Sequence, residues 1–481
     1  MTSLSLCTVD RLPASVARPG YDPRGVAVGV VHFGPGAFHR AHQATYFDAL
    51  LADDPRWGIA AVSLRSSDTV SALAAQDGLY SVAMLDADPA YRVIGAHRDW
   101  IGPDAQERLI ARLADPSLHL VTATVTEKGY CLSGDGDLDL AHPDIIHDRQ
   151  AAGAWRSLAG WLTAGLAERR ASGLAPFATL CCDNMARNGA KLRGAVVALA
   201  RLRDDGLADW IAETAVFPDT MVDSITPATD DAHRLRAARV LGMADHAAVQ
   251  RERFAQWVVQ DLPLPGSPDL ERTGVIRTGD VAAYEQAKLR ILNGAHSSLA
   301  YLGLALGHET VADAMADPVL AGFIERLVRD DIIPSLGVVA GLDLAGYADQ
   351  VLERFRNPAI RHHLSQIAWD GSQKLPYRLL DTVGEALAHD RPVDRLAVPV
   401  AGWIAFIRAS LETGRALVDP LADRLIAIAR REGDPARLAG AMLDIDGLFR
   451  PAIAQAPRFR DAVRDALAAV TTNRTRNLLT M

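Results

Sequence analysis

The chain has 481 residues, 49% of them apolar and 23% charged, which excludes intrinsic disorder and is too much for one ordinary core, so two or three domains are expected. Its net charge of -9 excludes a basic nucleic-acid footprint and a polybasic membrane patch. Residues 1–12 lack the pattern of a secretory signal, and no apolar run reads as long enough to span a membrane, so a cytoplasmic protein is expected.

In chain order, β-strands are expected at 26–33, 59–64, 80–84, 119–125 and 177–182, where Val, Ile, Thr and aromatics lie between turn residues. Helical stretches fall between them at 42–51, 104–114 and 151–171. This alternation predicts an α/β domain, a Rossmann-type doubly wound, mostly parallel sheet covered by helices. Pro, Gly and charge cluster at 263–280, and beyond that the texture becomes Ala/Leu-rich. Helices are expected there at 319–328, 344–355, 377–388, 396–411, 419–431 and 459–470, with breakers between them. The division is therefore a dinucleotide-binding domain over 1–279 and a mostly α-helical substrate domain over 280–481.

The first strand runs into Gly34-Pro35-Gly36-Ala37-Phe38-His39-Arg40 and then a helix. A strand, a Gly-x-Gly turn and a helix N-terminus form a cradle for a pyrophosphate, because the glycines admit close backbone approach and free N–H groups face the anion. The third fingerprint glycine is replaced by His39, and a glycine turn before a helix also arises for steric reasons alone. An acidic residue at the end of the second strand would hold the ribose hydroxyls of NAD; Asp68 is the candidate, and a helix N-cap is its other reading.

The segment from Tyr284 to His296 carries Glu285, Lys288, Asn293 and His296, which on an α-helical wheel fall within a sector roughly 140° wide. The same spacing fits a solvated helix face. Its residue types suit one reaction class, oxidation of a secondary alcohol. A desolvated lysine accepts the hydroxyl proton, asparagine amides stabilise the developing alkoxide, a histidine holds a neighbouring hydroxyl, and a carboxylate relays the proton outward. A further polar stretch, Asp183-Asn184-Met185-Ala186-Arg187-Asn188-Gly189, follows the strand expected at 177–182 and also fits an ordinary turn, while the mixture of apolar and polar residues over 217–227 suggests a packed active-site loop.

Together these residues resemble the polyol-specific long-chain (mannitol) dehydrogenases, a family that includes mannitol 2-dehydrogenases and fructuronate reductases. The resemblance is carried by His32 through Gln43, Thr126-Glu127-Lys128-Gly129-Tyr130-Cys131, Cys182-Asp183-Asn184, Met221-Val222-Asp223 with Ile225-Thr226-Pro227, Gln256-Trp257-Val258, Lys288 through His296, and Asp370-Gly371-Ser372-Gln373-Lys374-Leu375-Pro376. It implies that Lys288 is the general base, that Asn184 and Asn293 form the oxyanion hole, that His296 positions substrate and that Glu285 gates proton exit. It further implies Gly34, Gly36, Phe38 and Arg40 at the cofactor turn, Asp223 as an acidic group near the site, and Lys374 as a substrate contact. NAD is the implied cofactor, with no metal and with a monomer or weak dimer as the assembly. Two departures stand out: Ser67-Asp68 where mannitol 2-dehydrogenases carry Glu-Asp, and Gln366 where they tend to carry Arg. The second, with the run 366–376, is more similar to the fructuronate reductases and implies the D-mannonate/D-fructuronate pair ahead of D-mannitol/D-fructose. A sugar acid needs a carboxylate partner, for which Lys374 and Arg378 are candidates.

The four cysteines, two of them adjacent, give no disulfide framework, and the pairs His39/His42 and His362/His363 form no zinc pattern with them. Those histidines read as surface residues or as supports for the site. A dinucleotide-binding sensor without turnover is the rival reading. It would need neither the lysine nor the two amides.

Overall fold

A computed structural model describes every residue except 1, 151–152, 339–340, 473 and 481. The chain forms two compact units, Met1–Ala282 and Ala283–Met481. The first is built on a five-stranded parallel sheet: β1 (Val28–Phe33), β2 (Gly58–Val62), β3 (His97–Ile101), β4 (Leu120–Ala123) and β5 (Ala178–Cys181), in spatial order β3-β2-β1-β4-β5. The chain winds outward from β1 through β2 to β3, then returns to the other side of β1 for β4 and β5. The order therefore reverses between β1 and β4, the place where doubly wound sheets open a ligand crevice.

Both faces of this sheet are covered, so its strands are apolar almost throughout. Their side chains alternate between two cores. Val31, Phe33, Ala60, Val62, Val121 and Ala123 enter one core, with the helices Gln106–Leu113, Leu158–Ala171 and Asn188–Arg201. Val30, Ile59, Ala61, Leu120 and Leu180 enter the other, with Gln43–Leu50. The period-2 alternation of a strand thus divides one sheet between two helical layers.

Two smaller sheets complete this unit. One of them corrects the sequence reading of 80–84. Tyr80–Leu85 is no member of the parallel sheet; it pairs antiparallel with Ala90–Ile94 in a four-stranded sheet that also holds Val16–Ala17 and Val249–Glu252. The third parallel strand is His97-Arg98-Asp99-Trp100-Ile101, which the sequence hid behind charge. His97 and Asp99 are buried, and Asp99 is neutralised by Arg108 and Arg112. Of the helix expected at 151–171, residues 158–171 are helical, while 151–152 lie outside the described residues.

The second unit is helical. Ala295–Ala305 packs against Asp394–Thr413, which packs against Pro457–Thr471. Asp394–Thr413 also corrects an expectation: its 20 residues are long and apolar enough to cross a membrane by composition, although most of it is buried within the unit. Among the described residues of this unit, three segments are π-helical: Lys288–Gly294, Leu327–Ile332 and Pro376–Leu380. The latter two both pack against the first. Gly294 lies where they meet. A Cβ there would stand 2.6 Å from the Arg378 carbonyl oxygen and 3.8 Å from the Ile332 Cδ1. Only a glycine lets the backbones of two π segments approach this closely.

Candidate active site

In the first unit, β1 delivers the chain into Gly34-Pro35-Gly36. Gly34 has φ +85°, and a Cβ on it would lie 2.3 Å from the Thr124 carbonyl oxygen on the loop after β4. Gly36 caps the helix Ala37–Ala41 and is open: a Cβ there would meet nothing nearer than 3.9 Å. One glycine is thus required by a left-handed backbone at the β1/β4 crevice, and the other leaves backbone N–H groups accessible. Both features fit the pyrophosphate of a dinucleotide. Phe38 is half-buried and stacks on His42 with ring centroids 5.0 Å apart. Arg40 is buried; its Nη1 donates to the Pro35 carbonyl at 2.5 Å and its Nε to the Ala247 carbonyl at 3.3 Å. It braces the turn from behind.

Beneath the turn lies a histidine cluster whose arrangement the sequence did not reveal. His32 Nδ1 is 2.7 Å from Thr122 Oγ1, and its Nε2 is 2.9 Å from Thr124 Oγ1 and 3.1 Å from the Gly34 carbonyl oxygen. Its ring stacks at 3.3 Å on His39, whose Nε2 is 3.0 Å from His97 Nε2. All three rings are fully buried. Burial lowers His32 to about 3 and drives His39 and His97 well below the ordinary imidazole value, so the cluster is neutral near pH 7. The Gly34 carbonyl of the turn is therefore held by neutral hydrogen bonds from His32 on β1 and from Thr124 just after β4, while His97 on β3 supports His39.

Asp68 is exposed at the start of the helix Asp68–Ala74, with its amide on Ser66 Oγ at 3.1 Å; the N-cap position belongs to Ser67. After β5, the Asp183 carboxylate accepts from the Val125 and Thr126 amides and the Tyr130 hydroxyl, tying together the loops after β4 and β5. Burial pushes the Asp183 carboxyl upward against these bonds. Asn184 follows it and is exposed. Asn188 Nδ2 donates to the carbonyls of Cys181, Asp183 and Thr220, so this turn residue anchors the loop. Asp223 ends the strand Thr220–Asp223 and is buried.

In the second unit, Glu285 is half-buried on the helix Val281–Ala287. Lys288 opens the first π segment and Asn293 lies near its end, both half-buried. The α-helical wheel drawn from the sequence does not apply here. Lys288 and Asn293 are five residues apart, the hydrogen-bonding interval of a π helix, so the actual winding brings the amine and the amide closer to one face than an α helix would. His296 follows on Ala295–Ala305. It is buried, stacks on Phe355 at 4.9 Å and meets His362 edge-on at 4.7 Å. Burial, then the charges of His362, Arg378, Arg354 and Lys374, hold it well below the usual imidazole value. It is therefore a neutral hydrogen-bonding group, and its Nε2 has no partner.

Lys374 lies on Gly371–Leu375. Its Nζ donates to the Trp369 carbonyl at 2.6 Å and the Ile367 carbonyl at 3.5 Å, with Asp370 at 4.0 Å. Burial and the neighbouring Arg378 lower its pKa. Arg378, in the third π segment, donates from Nη1 to Ser297 Oγ at 3.0 Å. The structure thus brings His296, Lys374 and Arg378 together with His362, which sequence reasoning had left as a surface or supporting residue. Gln366 is exposed on Leu364–Ile367.

One group among the described residues has metal-ligand character: donor atoms of Cys131, His142 and Asp144 lie within 4.8 Å of one another. Those donors are already engaged. Asp144 pairs with Arg65 at 2.7 Å, His142 Nδ1 accepts the Asp144 amide, and burial lifts the Cys131 thiol to about 11.

The comparisons with known proteins follow the same two units. The mannitol dehydrogenase Rossmann domain profile matches residues 28–272 and the mannitol dehydrogenase C-terminal domain profile matches 280–471. The D-mannonate oxidoreductase of Escherichia coli K12 is 40% identical over 462 residues, covering 94% of this chain and 95% of that protein. A mannitol 2-dehydrogenase of Phaeosphaeria nodorum is 35% identical over 468 residues, covering 95% and 81%. Among solved structures, the Pseudomonas fluorescens mannitol 2-dehydrogenase in ternary complex with NAD and D-mannitol is 34% identical with a TM-score of 0.82, covering 100% of this chain and 99% of that one. A substrate-free D-sorbitol dehydrogenase is 31% identical with a TM-score of 0.90, and each chain is fully covered. With both halves of the fold matched over nearly their whole length, this chain belongs to the mannitol dehydrogenase family of oxidoreductases.

Proposed function

We propose that the protein is an NAD-dependent, metal-independent dehydrogenase that interconverts a secondary alcohol and a ketone on a six-carbon sugar acid, with D-mannonate and D-fructuronate as the pair. The observation that carries this reading is the π-helical segment, which sets Lys288 and Asn293 at its own hydrogen-bonding interval, next to a neutral, buried His296 with an unpartnered Nε2. When bound, the nicotinamide ring exchanges the hydride. The residues handle the proton and the developing charge. In oxidation Lys288 takes the hydroxyl proton as a neutral amine; in reduction it returns it as an ammonium. Asn293 donates an amide N–H to the reacting oxygen, and Asn184 is assigned the same role by family resemblance. His296 holds an adjacent hydroxyl, and Glu285 passes the proton onward. Gly34, Gly36 and Phe38 receive the dinucleotide, Arg40 shapes their turn, and Asp68 accepts from the ribose hydroxyls, which favours NAD over NADP. Asp223 is an acidic support on the substrate side.

The 40% identity to a D-mannonate oxidoreductase and the replacement of the expected arginine by Gln366 support the sugar acid. The mannitol 2-dehydrogenases at 35–37% identity make D-mannitol/D-fructose the second reading. The test is NADH oxidation with D-fructuronate and D-fructose in parallel. A higher kcat/KM for D-fructuronate is expected; a preference for D-fructose moves the protein to the polyol reading.

A further inference from the structure

Arg378 is half-buried, and burial lowers its pKa, yet its guanidinium, with five N–H donors, has one hydrogen-bond partner, the Ser297 hydroxyl. No carboxylate among the described residues lies within 4.0 Å of it. Arg395 in the same unit shows the ordinary solution: it pairs with Asp331 at 2.6 Å and with Asp330 at 3.2 Å. A guanidinium taken out of water without an anion is costly, and that cost persists in a fold when a ligand offsets it.

The surroundings of Arg378 sharpen the point, since they do not compensate it. Lys374 adds positive charge close enough to act on Arg378's neighbours, and burial keeps His362 below the usual imidazole value. Lys374, however, already has the Trp369 and Ile367 carbonyls and a nearby Asp370. Two buried ring nitrogens here, His296 Nε2 and His362 Nδ1, have no partner, and each can donate or accept according to its tautomer. The guanidinium only donates, so the demand for acceptors is at Arg378, and its planar fork suits a carboxylate bound by two parallel hydrogen bonds.

Resting on the sugar-acid reading above, we propose that Arg378 is the residue that selects a carboxylate-bearing substrate, that Ser297 orients its guanidinium, that His362 completes the cradle, and that Lys374 contacts the substrate without selecting its class. The backbone couples selection to chemistry. The Arg378 carbonyl sits against Gly294, at the end of the π segment that begins with Lys288, so the anion-binding fork and the base share one rigid junction.

The test compares kcat/KM for D-fructuronate and D-fructose in the wild type, Arg378→Leu, Arg378→Lys and Lys374→Met, with thermal unfolding recorded for each. Arg378→Leu is expected to lower the fructuronate-to-fructose ratio by about thirty-fold or more, a scale set by truncating one side of a buried charged pair. Arg378→Lys, which keeps the charge but not the fork, falls between. Lys374→Met lowers both substrates together and keeps the ratio within about threefold, since it alters a contact common to both. Calorimetric binding of D-mannonate to the NADH-loaded enzyme gives a readout independent of turnover and of the Leu variant's activity: Arg378→Leu weakens it by a similar factor. An unchanged ratio in Arg378→Leu, or a ratio that collapses in Lys374→Met instead, overturns the assignment. Fructose reduction without fructuronate reduction by the wild type overturns the sugar-acid reading itself. Absence of D-mannonate binding to the wild type overturns both.

Discussion

The two units surround their polar side chains in different ways. Under the dinucleotide turn, His32 has hydrogen-bond partners at both ring nitrogens, on Thr122, Thr124 and the Gly34 carbonyl, and the stacked His39 reaches His97. In the helical unit, His296 is buried with no partner at Nε2, and the half-buried Arg378 has a single hydrogen-bond partner. The first cluster is tied to the backbone through His32, although the buried Nδ1 atoms of His39 and His97 have no partner, and its contacts hold a turn. In the second, the N–H groups of Arg378 outnumber their acceptors, and on the proposal above a ligand supplies them. Burial and an unpartnered ring nitrogen are common to both clusters and do not separate them; the difference is Arg378, whose donors outnumber its partners.

The largest effect is expected at the base. Lys288→Ala should lower kcat by about a thousandfold, within the range for general acid–base groups. NADH affinity, measured by fluorescence titration, should stay near the wild-type value. Retention of wild-type turnover would remove Lys288 from the mechanism and return its helix to a plain solvated face.

Two glycines give the next contrast, one in each unit. Gly34→Ala places a Cβ at 2.3 Å from the Thr124 carbonyl on a left-handed backbone, and Gly294→Ala places one at 2.6 Å from the Arg378 carbonyl. Each should cost about 1–3 kcal/mol through strain and overpacking. Their kinetic signatures should differ. Gly34→Ala should raise the NADH dissociation constant, by about tenfold or more. Gly294→Ala should leave it near wild type and lower kcat, by a factor of about ten to a hundred, because it displaces the Lys288–Asn293 segment. Identical signatures from both variants would mean that neither glycine serves its own site.

The histidine cluster makes a pH prediction whose sign follows from its burial. The folded pKa of His32 is about 3, and those of His39 and His97 are also lowered, whereas an unfolded histidine titrates near 6.5. Above that value both states are neutral and stability is intact. As pH falls from about 6.5 toward 3, the unfolded chain takes up protons that the folded one refuses, so stability is lost by about 1 kcal/mol per pH unit for each such histidine. The melting temperature should therefore drop steeply below pH 6.5. His39→Phe should melt lower than wild type at pH 8, yet show a shallower acid decline, by about one proton. An equally steep decline would place the acid sensitivity elsewhere.

Much of this was legible in the sequence, and the exceptions have physical causes. Apolar strands such as Val28–Phe33 and the Gly-x-Gly turn stand out because a covered parallel strand has no solvated face to disguise it. The strand His97–Ile101 was missed because its buried charges are neutralised by Arg108 and Arg112, nine or more residues away in sequence. Tyr80–Leu85 has the same β-forming composition as its parallel counterparts, and composition does not say which sheet a strand joins. The π winding of Lys288–Gly294 was invisible, since apolar spacing over seven residues barely separates it from an α helix; the close approach at Gly294 is set by packing against residues far along the chain. His362 gave no signal of its own, because its role depends on meeting His296 across 66 positions of sequence.

The smallest effect concerns Asp68, and it separates the two kinds of cofactor contact in the first unit. On the proposed function, the glycine turn receives the pyrophosphate, which NAD and NADP share, and a carboxylate after β2 discriminates between them. Asp68 is exposed and sits beside Ser66 and Ser67, where mannitol 2-dehydrogenases carry a second acidic residue, so its field is partly screened. Asp68→Asn should raise the KM for NADH only a few-fold and improve NADPH use by a similar factor, each read from initial rates at fixed ketose. Ser67→Glu should move both in the opposite direction, by adding a carboxylate where this chain has a hydroxyl. A change in NADH affinity as large as that from Gly34→Ala would instead make Asp68 a principal anchor of the dinucleotide, and no change in either cofactor would shift discrimination to another residue of this loop.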